Sequence, residues 1–129
     1  MEDRPRCIFL VDDNPVNLSA GKKILQEKYT VVTIPSGDKL LFMLQNAKPD
    51  LILLDVEMPG ISGHDTLRKI KANPEIAEIP VIFLTGKDDP DDELLGLSLG
   101  AADYITKPFS PPLLLKRIEL HCMRDEKRE

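Results

Sequence analysis

With 129 residues, the chain fits a single domain that buries roughly two-thirds of its unfolded surface and needs no staple for a core. A formal charge of −5, 5% aromatic residues, no Trp and no basic cluster beyond Lys22-Lys23 and a mixed-sign C-terminal end exclude direct nucleic-acid binding by this domain. The opening Met1–Arg6 lacks the apolar core of a signal peptide, no apolar run approaches the roughly 20 residues of a membrane span, and Cys7 and Cys122 lie far apart, so a cytoplasmic protein with reduced structural thiols is expected.

In chain order, a first strand is expected at about 6–11 (CIFLV), followed directly by Asp12-Asp13. Asn14 can cap a first helix with Pro15 at its first position, and Leu18, Ile24 and Leu25 form its apolar stripe. A second strand follows at 30–34 (TVVTI), then a second helix at about 38–47 with Leu40, Leu41, Phe42 and Leu44. The third strand, 51–54 (LILL), is the most apolar and runs into Asp55, Val56, Glu57 and the turn Met58-Pro59-Gly60. A third helix starts near Ser62-Gly63, carries Leu67 and Ile70, and stops at Asn73-Pro74. The fourth strand, 81–84 (VIFL), leads to Thr85-Gly86. A fourth helix follows Asp88-Asp89-Pro90, with Asp91, Asp92 and Glu93 at the positive end of its dipole, and closes at Gly100. The fifth strand, 103–106 (DYIT), leads to Lys107-Pro108-Phe109, and a fifth helix runs from Ser110-Pro111-Pro112 to about Met123.

Most of these strands are continuous apolar runs, the pattern of strands covered on both faces. Five β-α units of this length make one α/β domain, a doubly wound five-stranded parallel sheet with order 2-1-3-4-5 and five helices, flavodoxin-like in class. The domain is expected over 1–123, with 124–129 a charged tail that could start a linker to an output domain.

The carboxyl ends of parallel strands share one edge, where ligands bind. That edge gathers Asp12, Asp13, Asp55, Thr85 and Lys107. Carboxylates this close repel by roughly 4 kcal/mol per pair at 4 Å and an effective dielectric near 20, which a hard cation relieves. An acidic pair is a poor phosphate cradle and a good magnesium site, since Mg2+ takes octahedral oxygen ligands, one or two of them carboxylates, together with a phosphate. With the ion bound, Lys107 leaves the pocket formally neutral. A phosphoryl group on Asp55 would make it slightly anionic, to be shared by the metal, Lys107, the Thr85 hydroxyl and the Gly86 N–H.

The set Asp12-Asp13, Asp55 with Met58-Pro59-Gly60, Thr85-Gly86, and Tyr104 with Lys107-Pro108-Phe109 resembles the receiver (CheY-like) domain of two-component response regulators, over about residues 6–122. The resemblance implies that Asp55 is the phosphoacceptor, that Asp13, Asp55 and the Glu57 carbonyl bind Mg2+ (or Mn2+) directly and Asp12 through water, and that Thr85, Gly86 and Lys107 hold the phosphoryl oxygens. It implies a cis peptide at Lys107-Pro108, a switch carried by Thr85 and Tyr104, and phosphate supplied by a histidine kinase or histidine phosphotransfer protein. Its readout would be dimerisation, or docking of an output domain, on the face of the fourth helix, fifth strand and fifth helix. Ser62, where the family often has Asp, should affect only a helix start. Glu57 and Lys87 face each other across the pocket mouth in family geometry and are expected to modulate the hydrolytic water.

Gly96 marks the fourth helix as marginal, because glycine costs roughly 1 kcal/mol relative to Ala inside a helix. On the fifth helix Leu114, Leu115, Ile118 and Cys122 share the core-facing side, with Leu113 and Leu120 opposite. His64 is expected to be solvated and His121 to lie on an outer helix surface, neither with metal-ligand company. Three alternatives stand beside the signalling reading. A haloacid-dehalogenase-type phosphatase wants its nucleophile on the first strand and an Asp two residues on, whereas here Asp55-Val56-Glu57 follows the third. A flavodoxin-like cofactor binder wants a Ser/Thr/Gly loop where this chain has Asp12-Asp13-Asn14. A degenerate, binding-only receiver would lack phosphorylation residues, all of which are present.

Overall fold

The computed structural model describes residues 5–86, 89–107 and 110–127, with side chains as far as Cys122. Strands β1 (Cys7–Val11), β2 (Thr30–Ile34), β3 (Leu51–Leu54), β4 (Val81–Thr85) and β5 (Asp103–Thr106) alternate with helices α1 (Pro15–Leu25), α2 (Gly37–Met43), α3 (Gly63–Lys71), α4 (Pro90–Ser98) and α5 (Pro111–Lys127). Every strand pair is parallel, in the order β2-β1-β3-β4-β5. The continuous apolar runs require this, because side chains alternate across a strand and both faces must then be covered. Phe9, Val11, Leu54 and Phe83 pack on one face with Leu67 and Ile70 of α3. Ile8, Leu10, Leu53 and Ile82 pack on the other with Leu25 of α1 and Leu114 and Ile118 of α5.

The helix starts follow their caps. The side chains of Asn14, Ser36, Ser62 and Asp89 each accept a main-chain N–H from the first turn they precede, satisfying donors that have no partner inside the helix. Gly100 closes α4 at φ +109°, a conformation that an L side chain would strain.

Two helix ends differ from expectation. Helix α2 stops at Met43, and the N–H groups of Gln45 and Asn46 bond only three residues back, to Phe42 and Met43. This tightened turn ends the helix ahead of Pro49, whose ring disfavours the α conformation in the residue before it. Phe42 is 60% exposed and lies under the Lys39 ammonium rather than in the core. Helix α5 continues to Lys127, past the expected end near Met123, since Arg124–Lys127 contains neither glycine nor proline and Arg, Glu and Lys are good helix formers. Cys7 and Cys122 are free thiols, and among the described residues no helix is long and apolar enough to cross a membrane.

Candidate functional site

Strand register builds the site. Val11 of β1 pairs with Leu54 of β3, so the next residues, Asp12 and Asp55, leave adjacent strands side by side. The Asp55 N–H still donates to the Val11 carbonyl at 3.0 Å. Asp12, Asp13 and Asp55 each offer a carboxylate oxygen, all within 4.8 Å of one another.

Asp12 is 4% exposed and fully engaged. Its Oδ1 accepts from the Asn14 N–H at 3.0 Å, and its Oδ2 from Asn17 Nδ2 at 3.2 Å and Lys107 Nζ at 3.0 Å. Asn17 is a site residue that sequence reasoning missed. The available signal was its place as the third residue of α1, from which a side chain reaches back over the helix start.

Asp55 is half-buried, and its Oδ1 accepts from the Glu57 N–H at 3.3 Å. Burial, reinforced by the charge of Asp12, pushes its carboxyl from the usual 3.8 up to about 6, against the opposing pull of Lys107, the Glu57 amide and a hydrogen bond from the Thr85 side chain. Thr85 is buried at the end of β4, and its carbonyl accepts the Lys107 N–H at 2.7 Å, which joins the last two strand ends. Gly86 is exposed, and among the described residues, its chain neighbours aside, no heavy atom lies within 4 Å of where a Cβ would stand. Tyr104 is buried with its ring edge-on to Phe83 at 6.0 Å. The expected acceptor, metal and phosphate residues therefore converge. Glu57 is exposed beside them, while Lys87, Pro108 with its peptide bond, and Phe109 lie outside the described residues.

Two histidines depart from expectation. His64 is buried, its Nε2 3.3 Å from the Asp92 carbonyl and its ring edge-on to Phe83 at 5.2 Å. The reason is that α4 and β4 flank the first turn of α3, so the ring meets protein where water was expected. His121 is half-buried, with Nε2 3.2 Å from Asp103 Oδ2, a carboxylate also held by Arg117. Gly96 is buried as well: a Cβ there would meet the Phe83 ring at 3.0 Å. Close packing, beyond helix propensity, thus explains that glycine.

Gly63 ties α3 to the acceptor loop. Its N–H donates to the Val56 carbonyl at 2.8 Å, and an added Cβ would meet the Val56 Cα at 2.8 Å and overlap the Asp55 carbonyl. Both obstacles are backbone and cannot rotate away. Gly63→Ala is therefore expected to cost about 2–3 kcal/mol of stability and to displace Asp55, which chemical denaturation and the Asp55 amide resonance will report.

An all-oxygen donor set with a carboxyl driven upward by burial and a like-charged neighbour suits a hard divalent cation. Beside the acceptor opens a cleft of about 530 Å³ lined by residues that include Val56, Glu57, Met58, His64 and Asp92.

The family model described as response regulator receiver domain matches residues 8–119. Over its full length the chain is 43% identical to a probable cyclic di-GMP phosphodiesterase of Vibrio cholerae, of which it spans 30%. Over 93% of its length it is 34% identical to the phosphate regulon transcriptional regulatory protein PhoB of Rhizobium meliloti, of which it spans 53%. The signal receiver domain of a signal transduction histidine kinase from Syntrophus aciditrophicus superposes with a TM-score of 0.85 at 34% identity, covering 92% of this chain and 90% of that one.

Proposed function

Because the chain belongs to the response regulator receiver domain family of two-component systems, we propose that it is a phosphorylation switch whose acceptor is Asp55. A carboxylate oxygen of Asp55 attacks the phosphorus of a phosphohistidine on a histidine kinase or histidine phosphotransfer protein. An O–P bond forms, the N–P bond breaks, and the imidazole nitrogen leaves with the electron pair. Lys107, the Thr85 hydroxyl and the Gly86 N–H hold the transferred oxygens, supplying fixed donors where charge develops. Asp13, Asp55 and the Glu57 main-chain carbonyl would hold Mg2+, or Mn2+, which would neutralise phosphoryl charge. Asp12, with both oxygens already engaged, acts through water. The domain assists gain and loss of its own phosphate without turning over a separate substrate.

The observation that carries this reading is the meeting of three carboxylates within 4.8 Å beside Thr85 and Lys107. Acetyl phosphate with Mg2+ is expected to add one phosphoryl group to the intact protein, readable by mass spectrometry, and EDTA to prevent it. A protein that stays unmodified in both arms would overturn the assignment.

The switch passes from Thr85 to Tyr104 and the α4-β5-α5 face, where Leu94, Leu97, Leu113 and Leu120 are between 42% and 66% exposed. That face serves a second copy or an output domain of the kind implied by the names of the two longer relatives. By likeness to the family, Glu57 and Lys87 modulate access of the hydrolytic water. Glu57→Ala and Lys87→Ala are expected to change the lifetime of the acyl phosphate, and unchanged decay in both would count against that role.

A further inference from the structure

Asp12 is gripped from several sides. Its Oδ1 accepts the Asn14 N–H at 3.0 Å, while its Oδ2 is shared by Lys107 Nζ at 3.0 Å, arriving from the end of β5, and Asn17 Nδ2 at 3.2 Å, arriving from the first turn of α1. The Asn17 side chain is not spent on starting the helix. That task falls to Asn14, whose Oδ1 accepts the main-chain N–H groups of Val16 and Asn17 at 2.8 and 3.4 Å. Nor does propensity favour it, since Asn ranks below Leu, Glu and Gln as a helix former. Helices α2, α3 and α4 each carry an acid in the first turn, where the dipole favours one, and α1 carries none. An acid at position 17 would oppose the Asp12 carboxylate, whereas an amide donates to it.

We propose that Asn17 is a positioning residue of the cation site: its amide fixes the orientation of the Asp12 carboxylate and so raises the affinity of the Asp12-Asp13-Asp55 cluster for Mg2+. The inference rests on the metal reading of the three carboxylates and not on phosphoryl transfer. Partners bonded to a metal-binding carboxylate hold it in the geometry the ion needs, and their loss weakens binding by roughly 10- to 100-fold. Asn17 brings no charge, so it acts through orientation. Lys107 meets the same oxygen with a full positive charge, which opposes a bound cation. The two donors therefore act on the metal in opposite senses.

Asn17→Leu removes the donor at nearly constant volume and puts a better helix former in its place. Asn17→Ala removes it without bulk, and Asn17→Gln restores an amide on a longer arm. Calorimetric titration of the metal-free proteins with MgCl2 should show binding weaker by about 10-fold or more in the Leu and Ala variants, with the Gln variant between them and the parent. Urea melts in EDTA should show both donor-free variants still folded, and Lys107→Met should shift the affinity the other way. Unchanged or tighter Mg2+ binding in a folded Leu or Ala variant overturns the positioning role, as does a Gln variant no stronger than Leu. A parent that binds no Mg2+ overturns the metal reading and the role of Asn17 together. A parent that binds Mg2+ but takes no phosphoryl group from acetyl phosphate sinks the acceptor reading alone, and the titrations still decide the role of Asn17.

Discussion

Asp55→Asn will abolish phosphoryl acceptance and, without metal, make the protein more stable at neutral pH by about 1–2 kcal/mol. The sign follows from the raised carboxyl, which moves from 3.8 in the unfolded chain to about 6 in the fold. The folded state therefore holds this proton more tightly than the unfolded state. Stability associated with Asp55 is fully present below about pH 4 and is lost as pH rises to about 6. The full displacement corresponds to an upper limit of about 3 kcal/mol, which the half-exposure of Asp55 reduces through solvent screening. Asn carries no charge at any pH in this window, so the decline between pH 4 and 6 should be shallower in the variant. Urea melts across this range in EDTA will show it, and parallel profiles for the two proteins would refute the claim. Added Mg2+ should narrow the difference, because an ion that binds the folded parent stabilises it by mass action and the variant lacks one of its anionic ligands.

Lys107→Met will weaken the metal-free protein and strengthen its hold on Mg2+. The Lys107 ammonium lies 3.0 Å from Asp12 Oδ2, with the two side chains 21% and 6% exposed. Removing it leaves a buried carboxylate facing Asp13 and Asp55 with, among the described residues, the Asn14 and Asn17 donors, at a cost of about 2–4 kcal/mol. A pocket stripped of its cation attracts a divalent ion more strongly, so calorimetry should show tighter Mg2+ binding. Transfer from acetyl phosphate should nevertheless slow by about 10²–10³-fold, the usual loss when one preorganised charge donor is removed. If Mg2+ affinity falls together with the transfer rate, Lys107 is organising the metal ligands, and the electrostatic account fails.

The strand ends were legible because each apolar run is short, uninterrupted and followed by a polar residue, and parallel pairing then admits one shared edge. Asp12, Asp13, Asp55, Thr85 and Lys107 could be gathered on that basis before any coordinates. Caps such as Asn14 and Ser62 were equally readable, since they act within three residues of their own position. What escaped depends on partners far along the chain. His64 looked solvated because nothing near it in sequence reveals that Asp92, 28 residues away, brings α4 over its ring. Gly96 read as a weak helix residue until Phe83 proved to lie beneath it. Asn17 and Phe42 went astray through helix phase: small differences in where a helix starts or stops decide which side chain turns inward.

The sheet order has one further consequence. Strands β1 and β3 are interior, each bonded along both edges, whereas β5 pairs with β4 alone. The carboxylates thus stand on strands that cannot shift without tearing ladders on two sides, while Tyr104 and Lys107 belong to a margin laddered on one side alone. Should Asp55 carry the phosphoryl group as proposed, a rearrangement of the sheet would break fewer ladder bonds at that margin than beneath the carboxylates.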